Sequence, residues 1–361
     1  MSAQADPINV ADYERLAAEK LDPGVHGYFA GGAGDERTLR DNVEAFRRWQ
    51  LRPRVLVDVS EVGAATTVLG MKLSMPLLVA PVAFQKLAHP DGEPGMARAA
   101  AAAGTAMCLS SLASASPSEV ADASPDGTHV LQLYVFKDRG VTRALIDQAV
   151  EHGYRAIALT VDAPQAGHRE RDYRTGFQVP AHVAVPAVEA AVRPGVSITP
   201  RGVFELVDPS LTWEGLEAIA GECSLPVLVK GVQTGEDGRL AVEHGAAGVV
   251  VSNHGGRQLD CVAASLDMLP EVVEAVDGRA EVLMDGGIRR GTDVLVALAL
   301  GARAVLAGRA PLWGLAVDGV AGARRVLELL RGEIELALTL CGCPTPADVT
   351  RDHVQRRAYI R

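Results

Sequence analysis

The sequence predicts an α/β protein: a TIM (β/α)8 barrel with an N-terminal helical extension and a long loop after strand four. Three observations point there. Short apolar runs recur from about residue 75, each followed by turn residues and then an Ala- and Leu-rich helical stretch. The runs lack polar alternation, so they read as strands buried on both faces, as in a parallel sheet. No G-x-G-x-x-G follows any of them, which weakens the doubly wound dinucleotide-binding alternative.

Taken in order, the runs start at Pro76 (PLLVAP), Ala106 (AMCLSS), Val130 (VLQLY), Ala156 (AIALTVD), Pro226 (PVLVKG), Gly248 (GVVVSNHGG), Glu281 (EVLMDGG) and Arg303 (RAVLAGR). Helical patterns fill the gaps at Glu93–Ala103, Gly140–His152, Glu236–His244, Ser265–Val276 and Thr292–Leu300. Repeated β-then-α units over about 250 residues are the barrel repeat. Residues 1–74 precede it, with an amphipathic helix at Tyr13–Lys20 and a Gly-rich stretch at Gly27–Glu36. The connection from about Ala163 to Leu211 carries six prolines: Pro164, Pro180, Pro186, Pro194, Pro200 and Pro209. Connections this long serve as lids or are disordered. The expectation is one catalytic domain over residues 1–361, with the barrel at 75–345 and a mobile lid at about 163–211.

Composition narrows the function. The formal net charge is -10, so phosphate backbones are repelled and no nucleic-acid partner is expected. A local arginine cluster can still bind a small anion. The five scattered cysteines form no CxxC pair, so neither a disulfide framework nor a metal site is expected. Reduced thiols and the lack of an N-terminal signal pattern fit a cytoplasmic protein. The uncharged run Ala99–Ser118 is too rich in Ser and Thr to span a membrane.

In this fold chemistry gathers at the C-terminal strand ends. Those ends carry Pro81, Ala83, Ser110, Gln132, Tyr134, Thr160, Asp162, Lys230, His254, Arg257, Asp285, Arg289, Gly308 and Arg309. Lys230 is one of only five lysines and ends an apolar strand, a place that suits a buried anion partner. His254 lies in SNHGGRQ, three residues before Arg257; a base beside an anion-binding arginine suits proton abstraction from a carboxylate substrate. Asp162 can orient the imidazole. Asp285-Gly286-Gly287 and Gly308-Arg309 end strands seven and eight, the usual phosphate site of this fold.

SNHGGRQLD, LVKG, LTVD, DGGIRRGTDV, GRAPLW and YFAGGAGDE together resemble the FMN-dependent 2-hydroxy-acid oxidases and dehydrogenases, from about Ile8 to Arg351. The resemblance implies bound FMN and oxidation of an L-2-hydroxy acid to the 2-oxo acid. It implies His254 as the base, Asp162 as its partner, and Arg257 and Arg169 on the substrate carboxylate. Tyr28 and Tyr134 would hydrogen-bond the substrate. Pro81, Val82 and Ala83 would lie against the flavin near N5. Ser110, Gln132, Thr160 and Ser252 would contact it, and Lys230 would sit by N1 and O2, stabilising the reduced anion. Asp285 would meet the ribityl chain. Gly286, Gly287, Arg289, Gly308 and Arg309 would hold the phosphate.

The resemblance also implies a homo-oligomer, a tetramer or octamer. Ala83 beside N5 suggests oxygen as acceptor, with a quinone-linked dehydrogenase as the alternative. An FMN-dependent diphosphate isomerase, or a catalytically silent barrel, stands further off. One departure concerns substrate size. Leu112 follows the double serine where glycolate oxidase has tryptophan, which predicts a pocket for acids larger than glycolate, of mandelate type.

Overall fold

The computed structural model describes residues 6–180, 183–192 and 203–358. Eight parallel strands close a barrel: β1 Leu77–Val79, β2 Ala106–Ser110, β3 Thr128–Leu133, β4 Ala156–Thr160, β5 Val227–Val232, β6 Gly248–Val251, β7 Glu281–Asp285 and β8 Ala304–Ala307. Neighbours pair in chain order, β8 pairs β1, and the register is regular except for a shift between Lys230 and Val232 in β5. All eight expected strands are present. The helices Gly92–Ala102, Arg139–Glu151, Gly235–Glu243, Ser265–Val276 and Gly291–Ala299 lie within a residue of the sequence pattern. Side-chain caps start two of them: Asp138 accepts from Gly140 N, and Thr234 from Asp237 N.

Strand alternation explains why the barrel is both a core and a site. Ala80, Ala106, Cys108, Val130, Ala158, Leu228, Val250, Leu283 and Leu306 fill the interior. The next residue but one on six of these strands is polar: Ser110, Gln132, Thr160, Lys230, Ser252 and Asp285. All six are buried. The inward face thus changes from apolar to polar at the top layer, where the chemistry of this fold belongs.

Two expectations need correction. The segment before the barrel is not only helical. After the helices Val10–Lys20, Pro23–Ala30 and Arg37–Glu44, Trp49–Leu51 pairs antiparallel with Val354–Arg356, and Thr66–Val68 with Met71–Leu73. Val68, Met71 and Leu73 of that hairpin are buried with the interior residues and close the lower end of the barrel. Both strand pairs are only three residues long, too short to show a period. The connection after β4 is also not simply a loop: it carries short helices at Glu170–Thr175, Pro186–Ala191 and Val203–Leu206. Its residues 181–182 and 193–202 lie outside the described residues.

A 33-residue helix, Arg309–Cys341, follows β8 and breaks at Asp318–Gly319. Lys20 Nζ donates to the Val317 carbonyl before the break, and Val320 N donates to Asp91 after it. One orphaned group on each side of the break therefore finds a partner.

Candidate active site

A cleft opens at the upper barrel end. Of the residues singled out from sequence, Tyr28, Pro81, Val82, Ala83, Ser110, Leu112, Gln132, Tyr134, Thr160, Arg169, Lys230, His254, Arg257, Asp285, Gly286, Gly287, Arg289, Gly308 and Arg309 line it. Asp162 and Ser252 stand behind it, each bonded to a lining side chain. Sequence reading missed Phe29, Ala80, Gly255, Ile288, Leu306, Ala307 and Leu312. The inward parity of β1 and β8 points to Ala80 and Leu306; nothing local points to Phe29.

His254 Nδ1 lies 2.9 Å from Asp162 Oδ1. Burial alone would raise the Asp162 pKa, but His254 and Lys230 outweigh it and hold the carboxyl below its ordinary value. An ionised Asp162 makes Nδ1 the protonated nitrogen, so Nε2 carries the free lone pair. Burial lowers the His254 pKa most; Asp162 pulls it up, and Lys230 and Arg169 push it down, with a net decrease. The imidazole is therefore neutral near pH 7, as a base must be.

His254 also has a left-handed backbone, φ 58°, unusual for a non-glycine residue. Ser252 Oγ accepts from His254 N at 3.0 Å, and Asn253 closes the turn by accepting from Gly256 N.

Arg257 and Arg169 bring two guanidinium groups into one half-buried place. Burial, then the like charge of Arg169, lowers the Arg257 pKa to about 10. Such a pair calls for an anion. Arg257 Nη1 donates to the Tyr28 and Gly31 carbonyls, and its guanidinium lies 5.0 Å from the Tyr28 ring centre. Gln258 binds the carbonyls of Asp162 and Gln165 and accepts from Gly167 N, drawing the Arg169 segment to the Arg257 turn.

At the other end Lys230 Nζ meets Ser252 Oγ at 3.0 Å and Asp285 Oδ2 at 3.2 Å. Burial would depress this amine, but Asp285 and Asp162 raise it above its ordinary value. Gly286 and Gly287 turn at φ 99° and 84°. The helix beginning at Arg309 has no side-chain cap, so its first N–H groups remain available to an anion. Arg309 itself donates to the carbonyls of Phe29, Gly255 and Gly31, so part of its fork anchors the N-terminal extension.

These residues fit FMN. The buried Asp285 Oδ1 has no protein partner and suits a hydroxyl donor. Lys230 uses two of its three donors on protein atoms. The uncapped helix with Arg289 suits a phosphate monoester.

The site on this barrel defines a flavin-dependent oxidoreductase acting on small carboxylates. The comparisons agree: the sequence profile of the family described as FMN-dependent dehydrogenase matches residues 17–356, and the chain belongs to that family. Glycolate oxidase 3 of Oryza sativa subsp. indica is 51% identical over 96% of this chain and 95% of its own. The L-lactate oxidase of Nostoc sp. is 50% identical over 97% of this chain and 98% of its own. Among solved structures, a mandelate oxidase variant with (S)-mandelic acid is 40% identical, with a TM-score of 0.89 and coverage of 98% and 100%. A soluble mutant of the membrane-associated (S)-mandelate dehydrogenase of Pseudomonas putida is 36% identical, with a TM-score of 0.91 over 98% and 100%. FMN is thus the cofactor and a 2-hydroxy acid the substrate class. No helix among the described residues is long and apolar enough to cross a membrane.

Proposed function

We propose that the protein oxidises an L-2-hydroxy acid larger than glycolate, of mandelate type, and passes the electrons to oxygen. The observation that carries the size assignment is Leu112. It is 2% exposed, lines the cleft, and stands where an indole would fill the same wall. None of the described residues from Gly176 to Leu211 lines the cleft. Burying a phenyl or four-carbon group there contributes roughly 1.5–3 kcal/mol, about 10- to 150-fold in specificity.

In the mechanism, Arg257 and Arg169 take the substrate carboxylate, and Tyr28 and Tyr134 hydrogen-bond the carboxylate or hydroxyl. His254 Nε2 removes a proton from the substrate, and Asp162 stabilises the imidazolium that forms. When bound, FMN supplies the acceptor for the two electrons leaving the α-carbon. Lys230, Asp285, Arg289 and the Gly286, Gly287 and Gly308 backbone would hold it, with Pro81, Val82, Ala83, Ser110, Gln132, Thr160, Ser252 and Arg309 completing its surroundings. Over the cycle, hydroxy acid plus oxygen becomes oxo acid plus hydrogen peroxide. Positioning and charge neutralisation account for most of the rate gain contributed by the protein.

Oxygen rather than a quinone is favoured by Ala83 at the cleft wall, the residue that family oxidases carry there. Membership in a homo-oligomer is favoured by an exposed apolar face. Val55 and Leu56 stand out at the C-terminal end of the long helix, where Leu336 and Leu340 are also exposed and Arg54 N donates to the Cys341 carbonyl. A cytoplasmic location is favoured by five unpaired cysteines.

Anaerobic addition of glycolate, lactate, 2-hydroxyoctanoate and mandelate to the yellow protein tests the reading. Bleaching of the 450 nm band should be most efficient with mandelate. Glycolate as the best substrate overturns the size assignment. Peroxide formation far slower than dye-linked turnover overturns the acceptor.

A further inference from the structure

The turn that carries His254 is held from outside the barrel. Asn42 lies in the helix Arg37–Glu44 of the N-terminal extension, and both Asn42 and Asn253 are 2% exposed. Their amides bond reciprocally. Asn42 Nδ2 donates to Asn253 Oδ1 at 2.8 Å, and Asn253 Nδ2 donates to Asn42 Oδ1 at 2.8 Å. Asn253 Nδ2 also donates to the Ala263 carbonyl, and its Oδ1 accepts from Gly256 N. These bonds fix the amide orientation. Rotating it by 180° would set Nδ2 against the Gly256 N–H and Oδ1 against the Ala263 carbonyl.

The same helix leans by its backbone on that turn and on one other. A Cβ at Gly256 would lie 2.6 Å from the Leu39 backbone, and one at Gly287 would lie 2.0 Å from the Asn42 carbonyl oxygen. One helix therefore seats both the base's turn and the turn between Asp285 and Arg289. A left-handed non-glycine residue persists only where its surroundings over-determine it. At His254 those surroundings are Ser252, Asp162 and the Asn253 amide.

We propose that Asn42 is a positioning residue for His254: its amide pair with Asn253 holds the strained turn that presents the imidazole, and its helix ties that turn to Gly287. The proposal rests on His254 being the base. It predicts an effect on turnover without one on substrate capture. Arg257 is held separately, through Nη1 on the Tyr28 and Gly31 carbonyls. A base displaced by about 1 Å can cost on the order of 10²-fold.

Asn42→Asp keeps the shape, loses the donor and puts a carboxylate against Asn253 Oδ1; Asn42→Ala removes the pair. Both should lower kcat per bound FMN by at least about 10-fold with KM near wild type. Their FMN Kd, from fluorescence quenching, should stay near wild type, because Gly287 rests on the Asn42 backbone carbonyl, which both substitutions keep. A purely structural role would reduce the fraction of loaded enzyme but leave kcat per bound FMN unchanged. In a His254→Ala background, neither substitution should reduce the residual turnover further. If Asn42→Asp does not fold, Asn42→Ser carries the same readouts and should fall between wild type and Asn42→Ala. Wild-type kcat per bound FMN in the Asn42 variants overturns the proposal, as does a loss that persists undiminished without His254. Full turnover in His254→Ala alone overturns the base assignment and the proposal with it, a result separable from the others.

Discussion

The two ends of the cleft are built differently. The end proposed for the phosphate draws on short contiguous stretches at neighbouring strand ends, Asp285–Arg289 and Gly308–Arg309. The end proposed for the substrate is gathered from distant places: Tyr28 from the extension, Leu112 after β2, Tyr134 after β3, Arg169 from the long connection, and His254 and Arg257 after β6. Its members are held by bonds across those segments, such as Arg257 to the Tyr28 and Gly31 carbonyls and Gln258 to Asp162 and Gln165. A binding end made of backbone tolerates little change. An end made of separately mounted side chains can change one wall at a time.

The contrast can be broken or sharpened by substitution. The largest effect is expected for His254→Ala: turnover should fall by at least roughly 10²-fold while the flavin stays bound. Turnover that survives would move the base elsewhere. Arg257→Lys should follow, with kcat/KM down about 10- to 10²-fold. A lysine cannot supply the fork that spans a carboxylate while holding the two carbonyls. Unchanged kinetics would place the carboxylate elsewhere.

Arg289→Ala should act on the other end alone, weakening FMN binding roughly 10-fold at near-normal kcat per bound flavin. A fall in kcat per flavin would show that the two ends are not separable. Leu112→Trp should refill the wall and shift the glycolate-to-mandelate ratio of kcat/KM about 10-fold toward glycolate. If the ranking stays put, Leu112 does not select.

The smallest effect concerns pH. His254 acts as a base only when neutral, and burial lowers its pKa from 6.5. The acid limb of kcat/KM should therefore fall below pH 6.5, with activity lost as pH drops through it. A midpoint above 6.5 would mean that Asp162 dominates over burial.

The resemblance reached far because its motifs sit at strand ends, where the chain has little freedom. Of the residues named from sequence, all but Asp162 and Ser252 line the cleft; Ser252, expected against the flavin, stands behind Lys230, and the Asp162–His254 contact was anticipated. Asn42 was not. An asparagine in an eight-residue helix carries no local signal of a partner 211 residues away. Phe29 and Leu312 were missed for a related cause: their apolar side chains look like any core residue until the extension is docked.

By itself the sequence determined the eight strands, the order of their helices and the polar layer above an apolar interior. Each of these follows from periodicity within a short window and from the alternation of side chains along a strand. Only the tertiary structure decided how the extension closes the site. Arg309 and Arg257 find backbone carbonyls of Tyr28, Phe29 and Gly31, and Asn42 finds Asn253. Those bonds join segments separated by more than two hundred residues. Their partners are identical carbonyls and amides, and which of them meet is set by the packing of the whole chain.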